Sequence, residues 1–126
     1  GKGRLKSMYG SIDFEYGDYL IIPRGTVYQI HFETTDNRIL FVESHSPIET
    51  PSRYRNQYGQ FLETSPFCER DFKLPNSLET IDEKGDFLIK AKKKGMLYGL
   101  HYGTHPFDVA GWDGCCYPYV FFIFDF

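Results

Sequence analysis

"GDYLIIPRGTVYQIHFE", residues 17–33, decides the fold. Its middle, Tyr19 to Ile22, is apolar on both faces and is ended by Pro23. Pro23-Arg24-Gly25 reads as a tight corner, because proline fixes φ and glycine tolerates positive φ. Beyond the corner, Tyr28, Ile30 and Phe32 alternate with Gln29, His31 and Glu33. A period of two places the first three on one face of a strand and the last three on the other. The first set is expected inward, with Tyr28 in the core, and His31 on a solvated face.

The same alternation runs on either side. In "SIDFEY" (11–16), Ile12, Phe14 and Tyr16 oppose Ser11, Asp13 and Glu15, between turns at Gly10 and Gly17-Asp18. "TTDN" (34–37) reads as a hairpin loop and "RILFVES" (38–44) as a returning strand, with His45 at its end. Residues 46–77 then change texture, with prolines at 47, 51, 66 and 75. Proline disfavours helix interiors and central strands, so this stretch is expected to be a long excursion with one helical turn near 51–57. Tyr54, Tyr58, Phe61, Leu62, Phe67 and Phe72 give it apolar material to bury, and Arg53 and Arg55 are expected to help dock it.

Strands resume in "DFLIKAKKK" (86–94), where Phe87, Ile89 and Ala91 oppose Lys90, Lys92 and Lys94. That lysine row is expected to be a solvated face guarding a sheet edge. "MLYGLHY" (96–102) places Met96, Tyr98, Leu100 and Tyr102 on one face and His101 on the other. A loop with Pro106 and Trp112 leads to the apolar run "YVFFIF" (119–124). Phe121, Phe122, Ile123, Phe124 and Phe126 need a covering layer, so the chain is expected to be part of something longer or to sit against a partner. No long helix and no repeat is legible. The expected fold is all-β, a single domain over 1–126 of the sandwich or barrel kind.

Composition agrees. The chain has 126 residues, 41% hydrophobic, 25% charged and 18% aromatic, which suits one globular domain rich in strands. A net charge of -3 argues against a nucleic-acid surface. No secretory leader is recognisable, and "YVFFIF" is far too short to cross a bilayer as a helix, so neither nucleic acid nor membrane is expected as a partner. Three cysteines, Cys68 and the adjacent Cys115-Cys116, make no disulfide framework and favour a reducing, cytoplasmic setting with free thiols.

The spacing of Gly17, Pro23 and Gly25 resembles a conserved motif of the cupins, jelly-roll β-barrels. In metal-binding cupins a histidine follows the second glycine by three positions; here that place is Tyr28, a poor ligand for a divalent metal. Three blocks together resemble a narrower family: "GDYLIIPRGT" (17–26), "RYRNQYGQFLETSPFCERDF" (53–72) and "HPFDVAGWDGCCYPYVFFIFDF" (105–126) are similar, in this order, to homogentisate 1,2-dioxygenase of the bacterial type. The resemblance covers the whole chain, and the Trp112-Asp113-Gly114 turn is its most specific part. It implies a partial cupin-like jelly-roll domain, the interior of the N-terminal domain. It also implies a parent enzyme that uses Fe(II) and O₂ to open the ring of homogentisate, giving maleylacetoacetate. Iron would be held outside this segment, in a C-terminal catalytic domain of the same protein, within a trimer or hexamer. The alternative is a stand-alone, metal-free cupin-like binding or scaffolding module.

No catalytic, cofactor-binding or metal-ligating residue is assigned on this chain. His101, His105 and Asp108 could be drawn as two histidines and a carboxylate. They fall on a strand end and a proline-containing loop, where a spacing of four brings no common face, and structural or surface roles are expected. Cys68 has Glu69 and Arg70 beside it but no histidine in a defined geometry, so a buried thiol is expected rather than a nucleophile. Trp112 is expected to cap a packed corner.

Overall fold

The computed structural model describes residues 1–111 and 116–125. The fold is all-β and antiparallel. In chain order the strands are β1 (Gly3–Ser7), β2 (Gly10–Phe14), β3 (Asp18–Ile21), β4 (Tyr28–Phe32), β5 (Lys84–Lys93), β6 (Met96–Thr104) and β7 (Tyr119–Phe122). The helical elements among the described residues are 3₁₀ turns at Ser52–Tyr54, Glu69–Asp71 and Ile123–Asp125. The first of these lies where the sequence places a helical turn. Trp112, Asp113, Gly114, Cys115 and Phe126 lie outside the described residues, and with them the expectations for the tryptophan turn and the adjacent thiols.

The strands form three antiparallel units: a sheet in the order β2-β1-β4, a pair β3-β7 and a ribbon β5-β6. The β1-β2 hairpin turns through Met8 and Tyr9 and closes on the Ser7–Gly10 pair; the φ of 117° at Gly10 suits glycine, and the Ser7 hydroxyl donates to the Gly10 carbonyl at 3.1 Å. Leu5 pairs with Ile12 on one side and Ile30 on the other, so one face of the sheet presents a row of branched apolar side chains. Val120 of β7 closes on Leu5 and Ile12, with Phe14, Leu20, Ile22 and Ile30 around them. Two sheets therefore pack face to face across a small core, the construction of a β-sandwich.

β7 uses both of its faces. Val120 points to that core, while Tyr119 and Phe121 meet aromatic side chains of the excursion. Phe72 lies 5.1 Å from Tyr119 and 5.5 Å from Phe61 between ring centroids, and Phe67 lies 5.4 Å from Tyr54. Tyr19 of β3 stacks on Phe121 at 5.2 Å. This explains why "YLII" and "YVFF" are apolar on both faces: one face meets a sheet, the other meets the aromatic layer. The excursion returns as a strap. Lys73 exchanges backbone hydrogen bonds with Val120 at 2.8 and 3.0 Å, and Asn76 with Ser11 at 2.8 and 3.0 Å, which stitches β7 to β2.

The ribbon turns at Lys94 and Gly95, both at positive φ, the requirement of a two-residue hairpin turn matching strand twist. Its base is tied by backbone bonds from Ile81 to Phe107 and from His105 to Glu83, each 2.8 Å.

Four expectations are corrected. Residues 38–44 form no strand, and Ile39, Leu40, Phe41 and Val42 are exposed, Leu40 by 86%. The Thr34 and Asn37 side chains close a turn on themselves, and Lys2, just before β1, donates its backbone N–H to Thr34 Oγ1 at 3.1 Å. Further on, Glu43 is taken by Lys92, and Arg24 donates to the His45 carbonyl at 2.8 Å. The segment is thus held by contacts other than the free edge of β4, and His45 ends no strand. Tyr28 shares the apolar face but is 45% exposed, because it pairs with Ser7 at the end of β1, beyond the reach of the Leu5 core. Tyr16 is exposed because β2 ends at Phe14, before the alternation reaches it. In the excursion Tyr58 and Leu62 are exposed and the other four aromatic side chains carry the packing.

Candidate functional site

The polar side of the three-stranded sheet carries matched charges. Arg4 on β1 stands between Asp13 and His31 in the register, and its Nε donates to Asp13 Oδ1 at 2.5 Å. That hydrogen bond holds the Asp13 carboxyl below its usual range and raises the Arg4 guanidinium. Lys2 pairs with Glu33 at 3.4 Å. Lys2, Asp13, Glu15, Glu33 and Lys73 line an open cleft of about 330 Å³. His31 is exposed, as its place in the alternation predicts.

Beneath this face lies a charged pin that the sequence does not announce. The Asp18 side chain is only 1% exposed; its Oδ2 accepts from Lys73 Nζ at 2.8 Å and from the Glu15 backbone N–H at 2.9 Å. Asp18 Oδ1 has no hydrogen-bond partner among the described residues. The pair spans 55 residues of sequence and joins the start of β3 to the strap. Nothing in "YGDYL" distinguishes this aspartate from an ordinary turn residue.

The histidines do not converge. His101 Nδ1 lies 2.7 Å from Asp86 Oδ1 on the exposed ribbon. His105 is turned toward the ribbon base, its ring 5.0 Å from Phe87 and 5.1 Å from Phe107, and its Nδ1 accepts from the Phe107 N–H at 3.1 Å. Asp108 accepts from Thr104 Oγ1 at 3.2 Å. Each of the three thus serves its own turn or strand. Among the described residues no three of His, Cys, Asp and Glu stand together so as to hold a metal ion. Ferrous iron needs two histidines and a carboxylate on one site with open positions, and the residues described here do not fit it.

Cys68 is buried, and its N–H donates to Asp71 Oδ2 at 2.7 Å at the start of a 3₁₀ turn. It borders an open cleft of about 480 Å³ with Gln60, Phe61, Glu63, Glu69 and Arg70, and no histidine is among these residues. Cys116 is free and exposed. Arg53 lies over the Tyr54 ring at 4.6 Å, and Arg55 pairs with Glu49 at 3.6 Å, so both serve the excursion itself. The Gly17-to-Gly25 corner is real: both glycines have positive φ, 91° and 85°, and Thr26 donates to the Pro23 carbonyl at 3.3 Å. Tyr28 stands three residues further, and no metal-ligating cluster is found among the described residues. No helix among the described residues is long and apolar enough to cross a membrane.

No solved structure matches the chain. A protein of Saccharolobus solfataricus named "Putative dioxygenase" is 43% identical over 125 residues, covering 99% of this chain and 32% of that protein. The chain thus spans about a third of the length of that curated relative. The family model for the N-terminal part of homogentisate 1,2-dioxygenase matches residues 1–123, nearly every residue discussed above, and the chain belongs to that homogentisate 1,2-dioxygenase N-terminal family.

Proposed function

We propose that this chain is the structural β-sandwich of an iron-dependent, ring-cleaving dioxygenase acting on homogentisate in tyrosine and phenylalanine breakdown. In that reaction both atoms of O₂ enter the substrate as the aromatic ring opens to maleylacetoacetate. The match of the family model over residues 1–123 carries the reading. The dioxygenase name of a relative 43% identical supports it. His101, His105 and Asp108 each bond within their own strand or turn, which suits a division of labour in which the remainder of the enzyme binds iron. Iron would supply the site where substrate and O₂ meet; this chain would supply a wall of two packed sheets. Its proposed partners are the catalytic domain of the same protein and neighbouring subunits, in the cytoplasm.

The test compares the 126-residue chain with the full-length protein that contains it. Under anaerobic loading, the chain alone is expected to retain no stoichiometric ferrous iron. The full-length protein is expected to retain iron and to consume O₂ only with homogentisate. Stoichiometric iron on the chain alone overturns the division of labour; a full-length protein inert toward homogentisate overturns the substrate.

A further inference from the structure

The strap at residues 73–77 covers two sheet edges at once. β2 stands at the end of the order β2-β1-β4, and β7 at the end of its pair with β3. Ser11 of β2 donates its N–H to the Asn76 carbonyl at 2.8 Å and accepts from Asn76 at 3.0 Å. Val120 of β7 donates to the Lys73 carbonyl at 3.0 Å and accepts from Lys73 at 2.8 Å. Side-chain burial adds little, since no residue from 73 to 80 is buried. Two features hold the strap shut. At one end Lys73 Nζ reaches the almost wholly buried Asp18 carboxylate at 2.8 Å. At the other, the Asn76 carbonyl oxygen stands 2.4 Å from where a Cβ on Gly10 would lie, so the strap seats on a missing side chain. Pro75, between the two bridges, fixes φ and stiffens the stretch. Ser77 follows at φ 51°, in the left-handed region, so the closed strap is strained where it leaves.

We infer that residues 73–77 are a clasp that opens and closes as one unit while both sheets stay packed, with the Lys73–Asp18 pair as its lock and Gly10 as its seat. A segment held by few buried apolar contacts opens at less cost than the core beneath it. That core, Leu5, Ile12 and Val120 with Phe14, Leu20, Ile22 and Ile30, takes no side chain from the strap. The two bridges stand three residues apart on one stiffened stretch, so neither end lifts far without drawing on the other. Opening bares the backbone groups of Ser11 and Val120 on the edges of β2 and β7. Bare edges recruit other strands, and covering them with a loop prevents it. The clasp is therefore an edge guard, and its release offers both edges to an extended segment. It needs neither iron nor substrate, so it stands or falls apart from the proposed function.

Amide hydrogen exchange followed by NMR in low urea tests it. The amides of Ser11, Lys73, Asn76 and Val120 come from three separate stretches of sequence. They are expected to share one protection level, below that of the amides of β1, the middle strand of its sheet. Their exchange is expected to depend little on urea, because local opening exposes little surface, whereas β1 exchange rises steeply with urea. Lys73→Met is expected to speed all four by roughly tenfold, Ser11 and Asn76 at the far end included. Gly10→Ala, acting from the other end, is expected to speed the same four, Lys73 and Val120 included. Ile30→Ala, in the core on β4, is expected to speed β1 exchange and leave the four unchanged. Ser11 and Val120 amides as protected and as urea-dependent as those of β1 overturn the proposal, and this comparison in wild type decides it even if a variant fails to fold. Variants that speed only the bridge at their own end, or an Ile30→Ala that speeds the four together with β1, overturn it as well.

Discussion

The rings of Phe14 and Phe32 meet edge to face, their centroids 6.1 Å apart and their planes at 82°, across Gly3 on the strand between them. β1 pairs Gly3 with both phenylalanines, so the missing side chain is what lets rings from β2 and β4 touch over the middle strand. A Cβ at Gly3 would stand 2.8 Å from the Phe14 ring and 2.2 Å from the His31 carbonyl oxygen. Gly3→Ala must therefore shift both a ring and the neighbouring strand. Overpacking of this kind costs about 1–3 kcal/mol. Urea unfolding is expected to show that loss, and Gly103→Ala, whose Cβ would meet nothing within 4 Å, is expected to show much less.

The Asp18–Lys73 pin makes a second prediction. Removing the lysine leaves a carboxylate that is almost wholly inside, with one oxygen already without a partner among the described residues. Lys73→Met is expected to destabilise the fold by about 1–3 kcal/mol, the cost of an uncompensated buried polar group. The double variant Asp18→Asn with Lys73→Met is expected to recover part of that loss, because the uncompensated charge is gone. A double-mutant cycle by chemical denaturation measures the coupling.

Acid and alkali act on different groups. Arg4 and Lys92, by hydrogen bonding and attraction, lower the folded-state pKa values of Asp13 and Glu43. In the unfolded chain these carboxyls take up protons first as pH falls through about 4. Their contribution is therefore present above that range and lost below it, and is small because both groups are exposed. Tyr119 shifts the other way: burial raises its pKa. Its contribution is present below about pH 10 and is lost as pH rises beyond it. Urea midpoints against pH are expected to fall at both ends. Arg4→Gln is expected to flatten the acid limb and Tyr119→Phe the alkaline one.

What the sequence discloses follows from how locally each feature is specified. The alternation around Ile12, Ile30 and Phe87 is set by neighbours two residues away, and those strands form as read. The Pro23-Arg24-Gly25 corner depends on backbone chemistry alone and forms as well. Residues 38–44 have strand-like composition, but pairing needs a partner edge, and the contacts of Thr34, Glu43 and His45 hold the segment elsewhere. Tyr28 follows the period yet pairs beyond the end of the core, which periodicity does not encode. The Asp18–Lys73 pair joins residues far apart in sequence, so neither residue shows its role by its surroundings.

The exposed run Ile39–Val42 is the last test, and it concerns aggregation. Four successive apolar side chains lie in a backbone that joins no strand, the pattern that recruits strand pairing between molecules. Its neighbours are charged: Arg38 precedes it, and Glu43 follows in its pair with Lys92. Glu43→Gln removes the charged end and loosens the tether to β5, so the run is expected to pair between molecules more readily. Light scattering during mild heating is expected to show an earlier onset for Glu43→Gln than for wild type. Leu40→Lys, at a side chain that packs on almost nothing, is expected to delay onset while changing stability by no more than about 0.5 kcal/mol. High salt is expected to bring wild type toward Glu43→Gln, because an exposed ion pair is screened. If Leu40→Lys instead lowers the unfolding midpoint strongly, the run is covered in solution and its exposure does not drive aggregation.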